Sequence, residues 1–409
     1  MTAIFPSVQS IAQTHNEKIY NKQKIQNNKL FQNNIFHLLK EQIDILKPKH
    51  EPMNSALPDS FSWKNIEGKD FSTPVKSQGQ VPSCWAFGAI AAIESSIEIR
   101  ENCPDLNPDL SEQFLLSCIP RIREENNVRP FYWIMNSSAE GYDCNGVIPE
   151  FCFPYEYSLD VSCSKKSSDW KAHIIPILNF SYWIPDGSPK ENDDIIKRKI
   201  METGPVTAKI DVSFLADTWG DFCHNSKAYF PNIPSIPRLM GKRTGLHLIT
   251  LLGWHDNPLI ASGGYWICKN SWGTDWGYGG YFNLAYGALG VGRVIFPIDD
   301  EYIPYIGTVD YDPDSYDWPP IAEPGGPYNG TIKDEIIFDA SNSIDAEKEI
   351  ISYKWDLGDG STESGMKCTH QYMDDGEFEV MLTVIDRGGN QDSAMTTVLI
   401  EKNFRTPGL

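Results

Sequence analysis

Four residues whose types together suit nucleophilic catalysis by sulfur stand at telling intervals in this 409-residue chain. Cys84 opens a run of small and apolar residues, Ala86 to Ile93, and Gln78 stands six residues before it. His247 follows 163 residues later inside the apolar run Leu246 to Leu252, and Asn270 comes 23 residues further on. Attack of sulfur on an acyl carbon needs a thiolate, a base that becomes an acid, a group orienting that base, and donors for the oxyanion. Cys84 is the candidate nucleophile and His247 the candidate base and acid. Asn270 is the candidate orienter, through a side-chain hydrogen bond to the second ring nitrogen. Gln78 would aim its amide NH2 at the oxyanion beside the Cys84 N–H, and loss of one such donor typically costs about 3 kcal/mol. Each residue alone also has an ordinary explanation: a core cysteine, a satisfied core histidine, a turn asparagine. The combination is what points to chemistry.

These side chains need elements to hold them. Ala86, Ile90, Ile93 and Ile97 are spaced 4, 3 and 4 apart, which predicts a buried helix from Cys84 to about Glu101. Ser83 suits the N-cap and Pro82 the helix entry, which would set the Cys84 sulfur at the positive end of the helix dipole. Leu110 to Cys118 reads as a short capped helix, 194–202 as another helix, and Val206 to Val212 as a strand. Further strands are predicted at Leu246 to Leu252, Tyr265 to Lys269, Tyr281 to Leu284 and Val291 to Pro297. A helical first half and a β-rich second half predict an α+β enzyme with its site between two lobes. Residues 310–320, rich in Asp, Pro and Tyr, mark a boundary. Beyond it Phe378, Val380, Leu382 and Val384 alternate with Glu379, Met381 and Thr383, a strand with one buried face in an all-β segment.

The divisions expected are therefore a leader or propeptide-like segment at 1–55, a catalytic domain at 56–309, a linker at 310–320, a β-sandwich at 321–401 and a tail at 402–409. The leader has one amphipathic helical stretch around Leu30 to Leu46, with Phe31, Ile35, Leu38, Leu39 and Ile43 at helical spacing, and is a candidate masking segment. Net charge is −20, divided as +4 over 1–50, −9 over 51–300 and −15 over 301–409. Such an acidic body argues against nucleic acid or anionic membrane as partner. No apolar run is long enough to span a bilayer, and the N-terminus is a poor signal peptide. Nine cysteines, an odd number, fit one free nucleophile plus some disulfides in an oxidising setting. An extracellular or cell-surface location is expected, with the export signal not evident in the chain; the competing reading is a cytoplasmic chain whose cysteines are mostly free thiols.

Four separated blocks, Q-G-Q-V-P-S-C-W-A-F, L-S-E-Q-F-L-L-S-C, G-L-H-L-I-T-L-L-G-W and W-I-C-K-N-S-W-G-T-D-W-G-Y-G-G-Y-F, resemble those of papain-like cysteine proteases, in the family's order, over roughly 57–300. The resemblance implies a triad of Cys84, His247 and Asn270, with Gln78 completing the oxyanion hole. It also implies that Trp272 shields the His247–Asn270 bond from water. Val81 stands where the family places its first cysteine, so that cysteine's disulfide cannot form here. The partner element C-x-G-G is absent after Cys118; 130–140 reads as the intervening helix and Asn145-Gly146 as a later turn. Cys118 with Cys163 resembles another family bridge, while Cys103, Cys144, Cys152 and Cys223 admit three pairings. Cys268 reads as a free core thiol, and Cys368 is alone in its segment. No paired-histidine occluding loop is visible, which favours an endopeptidase acting on protein or peptide substrates.

The C-terminal blocks P-P-I-A-E-P-G-G-P-Y-N-G, Y-K-W-D-L-G-D-G and Y-M-D-D-G-E-F-E-V-M-L-T-V-I-D resemble a PKD domain. That implies an Ig-like sandwich with Trp355 in its core and a role in adhesion or substrate docking on a cell-surface or extracellular polymer. Asp339, Asp356, Asp359 and Asp374 form a candidate calcium set, against which stands the habit of turn aspartates to bond their own backbone. No other cofactor or metal is expected. Two other readings compete: a catalytically inactive surface adhesion protein, and a transglutaminase-like acyl transferase, which normally uses Asp as orienter.

Overall fold

In the computed structural model the described residues are 56–118, 146–183, 185, 187–212, 229–230, 246–293 and 306–402. The expected leader helix, the 130–140 helix, Cys144 and Cys223 lie outside them. Helix α1 (Cys84–Glu101) runs through the middle of the first lobe. Its apolar positions explain this: Ala86, Ala89, Ile90, Ala92, Ile93 and Ile97 have no exposed surface, and such a helix has no solvent face to keep polar. It ends at Asn102, which takes the left-handed conformation of a C-cap. Helix α2 (Glu112–Cys118) starts at Ser111, whose hydroxyl accepts the Phe114 N–H at 3.0 Å. Together they bury a core with Val147, Ile148, Phe153, Ile175 and Ile177.

The second lobe is built on an eight-stranded sheet. Its strands are β1 (Ser60–Ser62), β4 (Asn179–Trp183), β5 (Val206–Asp211), β6 (Tyr229–Phe230), β7 (Leu246–Asp256), β8 (Gly264–Lys269), β9 (Tyr281–Ala285) and β10 (Ile306–Asp310), while β2 (Gly146–Val147) and β3 (Ile175–Pro176) form a separate pair. The order is β4-β10-β5-β7-β8-β9-β6, with β1 added on β7. Helix α3 (Pro189–Thr203) covers it with Ile196 and Ile200 against Val206, Ala208, Ile249, Leu251 and Trp266. This helix begins five residues before the predicted 194–202. Ser188 and Glu191 form a capping box around Pro189, a start signal that outranks the onset of apolar periodicity. The strand expected from Val291 does not begin there: 291–293 lie in a turn, with Val291 buried in the sheet-lobe core, and 294–297 fall outside the described residues.

The C-terminal part is a sandwich of a five-stranded sheet, β11-β17-β16-β13-β14, and a two-stranded one, β12-β15. The strands are β11 (Tyr328–Thr331), β12 (Ile336–Asp339), β13 (Ser352–Asp356), β14 (Thr362–Ser364), β15 (Lys367–His370), β16 (Gly376–Ile385) and β17 (Gln391–Glu401). Trp355, Phe338, Val380, Leu382, Val384 and Val398 fill its core, while Glu379 and Met381 face outward as the alternation requires. Asp339, Asp356 and Asp359 accept the N–H groups of Ser341, Gly358 and Ser361, and Asp339 and Asp359 also meet Lys367 and His370. Asp374 is exposed.

The stretch expected as a linker is no free tether. Tyr311 and Trp318 are buried in the helical-lobe core with Tyr316 against them. Tyr311 donates to Glu101 at 2.7 Å and accepts from Trp318 Nε1 at 2.9 Å, so aromatic burial overrides a composition that reads as a boundary.

Candidate active site

Cys84 occupies the first turn of α1, where backbone N–H groups have no helical acceptor. Ser83 precedes it, but its hydroxyl does not cap the helix. It turns instead to Val81 O at 3.3 Å and the Tyr155 hydroxyl at 3.0 Å. Burial raises the Cys84 thiol above its ordinary value, while the N–H groups of Leu248, Trp85 and Cys84 itself act the other way. Leu248 directly follows His247, so the sulfur lies against the strand that carries the imidazole. Gly88, one turn along α1, permits this approach: a Cβ there would meet Leu248 Cδ2 at 3.0 Å and Cγ at 3.2 Å. Thr250 Oγ1 fastens the same contact by donating to Gly88 O at 3.3 Å.

His247 lies on β7, and Asn270 directly follows β8, its hydrogen-bonded neighbour. The two side chains are buried and meet at 2.8 Å between Nε2 and Oδ1. Asn270 Oδ1 also accepts the Ser271 N–H at 2.9 Å, which identifies it as the oxygen. His247 Nε2 must then carry the hydrogen, leaving Nδ1 with the lone pair. Burial depresses the imidazole to about 4, opposed by the Asn270 bond. The Trp272 ring stacks on the imidazole, with centroids 4.9 Å apart and planes at 27°, and Trp276 meets Trp272 edge-on at 5.1 Å.

Gln78 is tied to the same turn. Its N–H donates to Ser271 O at 2.8 Å and its Oε1 accepts from Ser271 Oγ at 2.7 Å. One hydrogen of its Nε2 goes to Val81 O at 2.8 Å, and the amide carries a second.

Below these groups runs a buried polar network that sequence reasoning missed. Lys269, next to Asn270, donates to Ser72 O, Thr73 O and Thr73 Oγ1 at 2.6, 3.1 and 2.8 Å. Thr73 Oγ1 donates in turn to Glu94 on α1, which also meets Lys76 at 2.7 Å. Burial lowers Lys269 to about 8 and raises Glu98 to about 8. The one signal in the sequence was Glu94 and Glu98, four residues apart and flanking the apolar stripe of the helix.

Cys118 and Cys163 form a disulfide with Cα atoms 4.8 Å apart. Cys103, Cys152, Cys268 and Cys368 are free.

Comparison with known proteins gives two family matches. The papain family cysteine protease profile matches residues 57–293, and the PKD domain profile matches 317–400. A viral cathepsin of Cydia pomonella granulosis virus is 31% identical over 246 residues, covering 58% of this chain and 60% of that protein. Procathepsin L of Felis catus is 32% identical over 235 residues, covering 57% and 62%. The solved structure of digestive procathepsin L2 proteinase from Tenebrio molitor larval midgut aligns at a TM-score of 0.44 and 22% identity, covering 63% of this chain and 69% of that one. The chain spans about 60% of the length of these two curated relatives. With more than half of its length inside the first profile, the chain belongs to the papain family of cysteine proteases and carries a PKD domain on its C-terminal side.

Proposed function

We propose that this protein is a cysteine endopeptidase in which Cys84, His247 and Asn270 act together with Gln78. The observation that carries the reading is the buried 2.8 Å contact between His247 Nε2 and an Asn270 oxygen already held by the Ser271 N–H. It leaves Nδ1 as the basic nitrogen. Burial pushes Cys84 and His247 each toward the neutral form. Moving the thiol proton to Nδ1 creates both charges at once, each the other's counter-ion.

The thiolate then attacks the peptide carbonyl carbon, and the oxyanion takes hydrogen bonds from the Cys84 N–H and the second Gln78 amide hydrogen. Nδ1–H protonates the leaving amine as the C–N bond breaks, giving a thioester on Cys84. His247 next removes a proton from water, hydroxide adds to the thioester, and the acid leaves as the thiolate is restored. The balance needs only water. Trp272, stacked on the imidazole, keeps solvent from the His247–Asn270 bond. An amide orienter, where a transglutaminase-like transferase uses a carboxylate, favours hydrolysis.

The PKD domain serves adhesion or substrate docking, in an extracellular or cell-surface setting. Its connection starts at Glu101, the far end of α1 and about 25 Å from Cys84 at 1.5 Å per residue. Calcium is not required in this reading, because the backbone and neighbouring side chains already engage Asp339, Asp356 and Asp359; a melting midpoint that falls on chelation would contradict this. The peptidase reading itself is tested with an epoxide or vinyl-sulfone probe. Labelling is expected in the wild type and absent in Cys84→Ser, and processed wild-type protein that stays unlabelled at Cys84 would overturn it.

A further inference from the structure

We propose that Tyr155 is a positioning residue for the oxyanion side of this site, acting through its phenol on the loop from Gln78 to Cys84. The inference rests on the peptidase reading above.

The loop is short and carries both proposed oxyanion donors at its ends. The contacts that hold its shape are few. Ser83 N and Gln78 Nε2 both donate to Val81 O, at 2.7 and 2.8 Å, which curls the chain on itself. The outer contact is Tyr155, whose hydroxyl donates to Gln78 O at 2.9 Å and lies 3.0 Å from Ser83 Oγ. A phenol has one hydrogen, and Gln78 O receives it, so the single Ser83 hydroxyl hydrogen goes to Tyr155 at 3.0 Å and not to the more distant Val81 O at 3.3 Å. One oxygen thus joins the residue bearing the amide donor to the residue preceding the nucleophile. Of the residues between them, Gly79, Val81 and Pro82 have no side-chain polar group, and Gln80 is exposed.

Tyr155 is itself held. Its N–H donates to Glu150 Oε1 at 2.6 Å, the Glu156 N–H to Gln113 Oε1 at 3.0 Å, and Ser111 Oγ to Phe153 O at 2.6 Å. The ring meets Phe87 edge-on at 4.9 Å and Tyr157 at 4.7 Å, and the Tyr157 ring abuts Gly79 of the loop. The Cys118–Cys163 disulfide closes the 45-residue span that contains Tyr155. The loop is therefore braced from the helical lobe at Gln78 O and from the sheet lobe at the Gln78 amide, through Ser271. Tyr155 lies 77 residues from Gln78 in sequence.

The test uses the full chain and two reactions of Cys84. Peptide hydrolysis builds an oxyanion; alkylation by iodoacetamide needs the thiolate but builds none. Tyr155→Phe keeps the ring contacts and removes the hydroxyl. It is expected to lower kcat roughly fivefold to tenfold, the usual worth of one net hydrogen bond, with KM and the alkylation rate within about twofold of wild type. In a Gln78→Ala background the same substitution should have less than half that effect, since the group it positions is gone. Unchanged kcat in Tyr155→Phe, a parallel fall in alkylation, or full additivity with Gln78→Ala would overturn the inference while the peptidase reading stands. A wild type inert in both reactions would overturn the peptidase reading, and this one with it.

Discussion

Asn270 holds His247 through an oxygen that is itself held: Oδ1 lies 2.8 Å from Nε2 and 2.9 Å from the Ser271 N–H. The second contact matters as much as the first. Without it the amide could rotate and offer Nδ2 instead, and His247 would then present the wrong tautomer toward Cys84.

Asn270→Ala should therefore lower kcat by roughly tenfold to a hundredfold while leaving KM nearly unchanged, because orientation of the base is lost and substrate contacts are not. Steady-state hydrolysis of a peptide substrate measures this. A rise in KM alone would place Asn270 in binding instead.

The pH dependence of stability has a sign that can be derived. In Cys84→Ala, His247 has no thiolate to pair with, and burial sets its folded value at about 4 against 6.5 in the unfolded chain. The unfolded chain binds the extra proton between those values, so this contribution is complete above pH 6.5 and is lost as pH falls through about 4. The gap corresponds to roughly 3 kcal/mol. Glu98 and Glu150, raised from 4.5 to about 8 and about 7, contribute in the opposite sense: their part is complete below pH 4.5 and is lost as pH rises through those values. Subtracting the curve of Cys84→Ala/His247→Gln from that of Cys84→Ala isolates the histidine. The difference should rise between pH 4 and 6.5, and a flat difference would contradict the buried neutral imidazole.

Gly88→Ala opposes two effects. The helix gains about 1 kcal/mol of intrinsic propensity, while the new methyl meets Leu248 side-chain atoms at 3.0–3.2 Å. We expect a melting temperature close to wild type with kcat reduced severalfold, because Leu248 adjoins His247 and displacing it moves the imidazole relative to Cys84. Unchanged kcat would show that this contact does not set the spacing.

Truncation should distinguish the connecting segment from the sandwich. A chain ending at 310 loses Tyr311 and Trp318 from the helical-lobe core and leaves Glu101 without its Tyr311 partner. Removal of one large core aromatic typically costs about 3–5 kcal/mol. A chain ending at 320 keeps both aromatics and loses Ala346 from that core, together with the bonds from Trp318 N to Glu347 and from Asn390 to Asp317. Thermal melting of the two should show the shorter chain much less stable; equal midpoints would mean that Tyr311 and Trp318 contribute little.

The start of α1 at Cys84, its apolar stripe, the alternation in β16 and the class of each lobe were legible in the sequence, because spacing along one element dictates which side chains share a face. The resemblance implied the same roles for Cys84, His247, Asn270 and Gln78 and added one for Trp272. Contacts between residues far apart in the chain were not legible. Ser83 was read as a cap, yet its hydroxyl goes to a tyrosine 72 residues away. Gln78 was read as aiming its amide at substrate, yet it bonds Ser271, 193 residues on, and one of its hydrogens goes to Val81 O. The 310–320 stretch was read as a linker; burial of Tyr311 and Trp318 gave it a place in the helical-lobe core.

The sequence by itself determined which residue types are present and which local elements they form, because propensity, capping and periodicity act within a few residues. Only the tertiary structure decided which of several open hydrogen-bond partners each polar group takes. Burial removes water as the default partner, so a buried donor such as Lys269 Nζ is drawn to acceptors supplied by another segment.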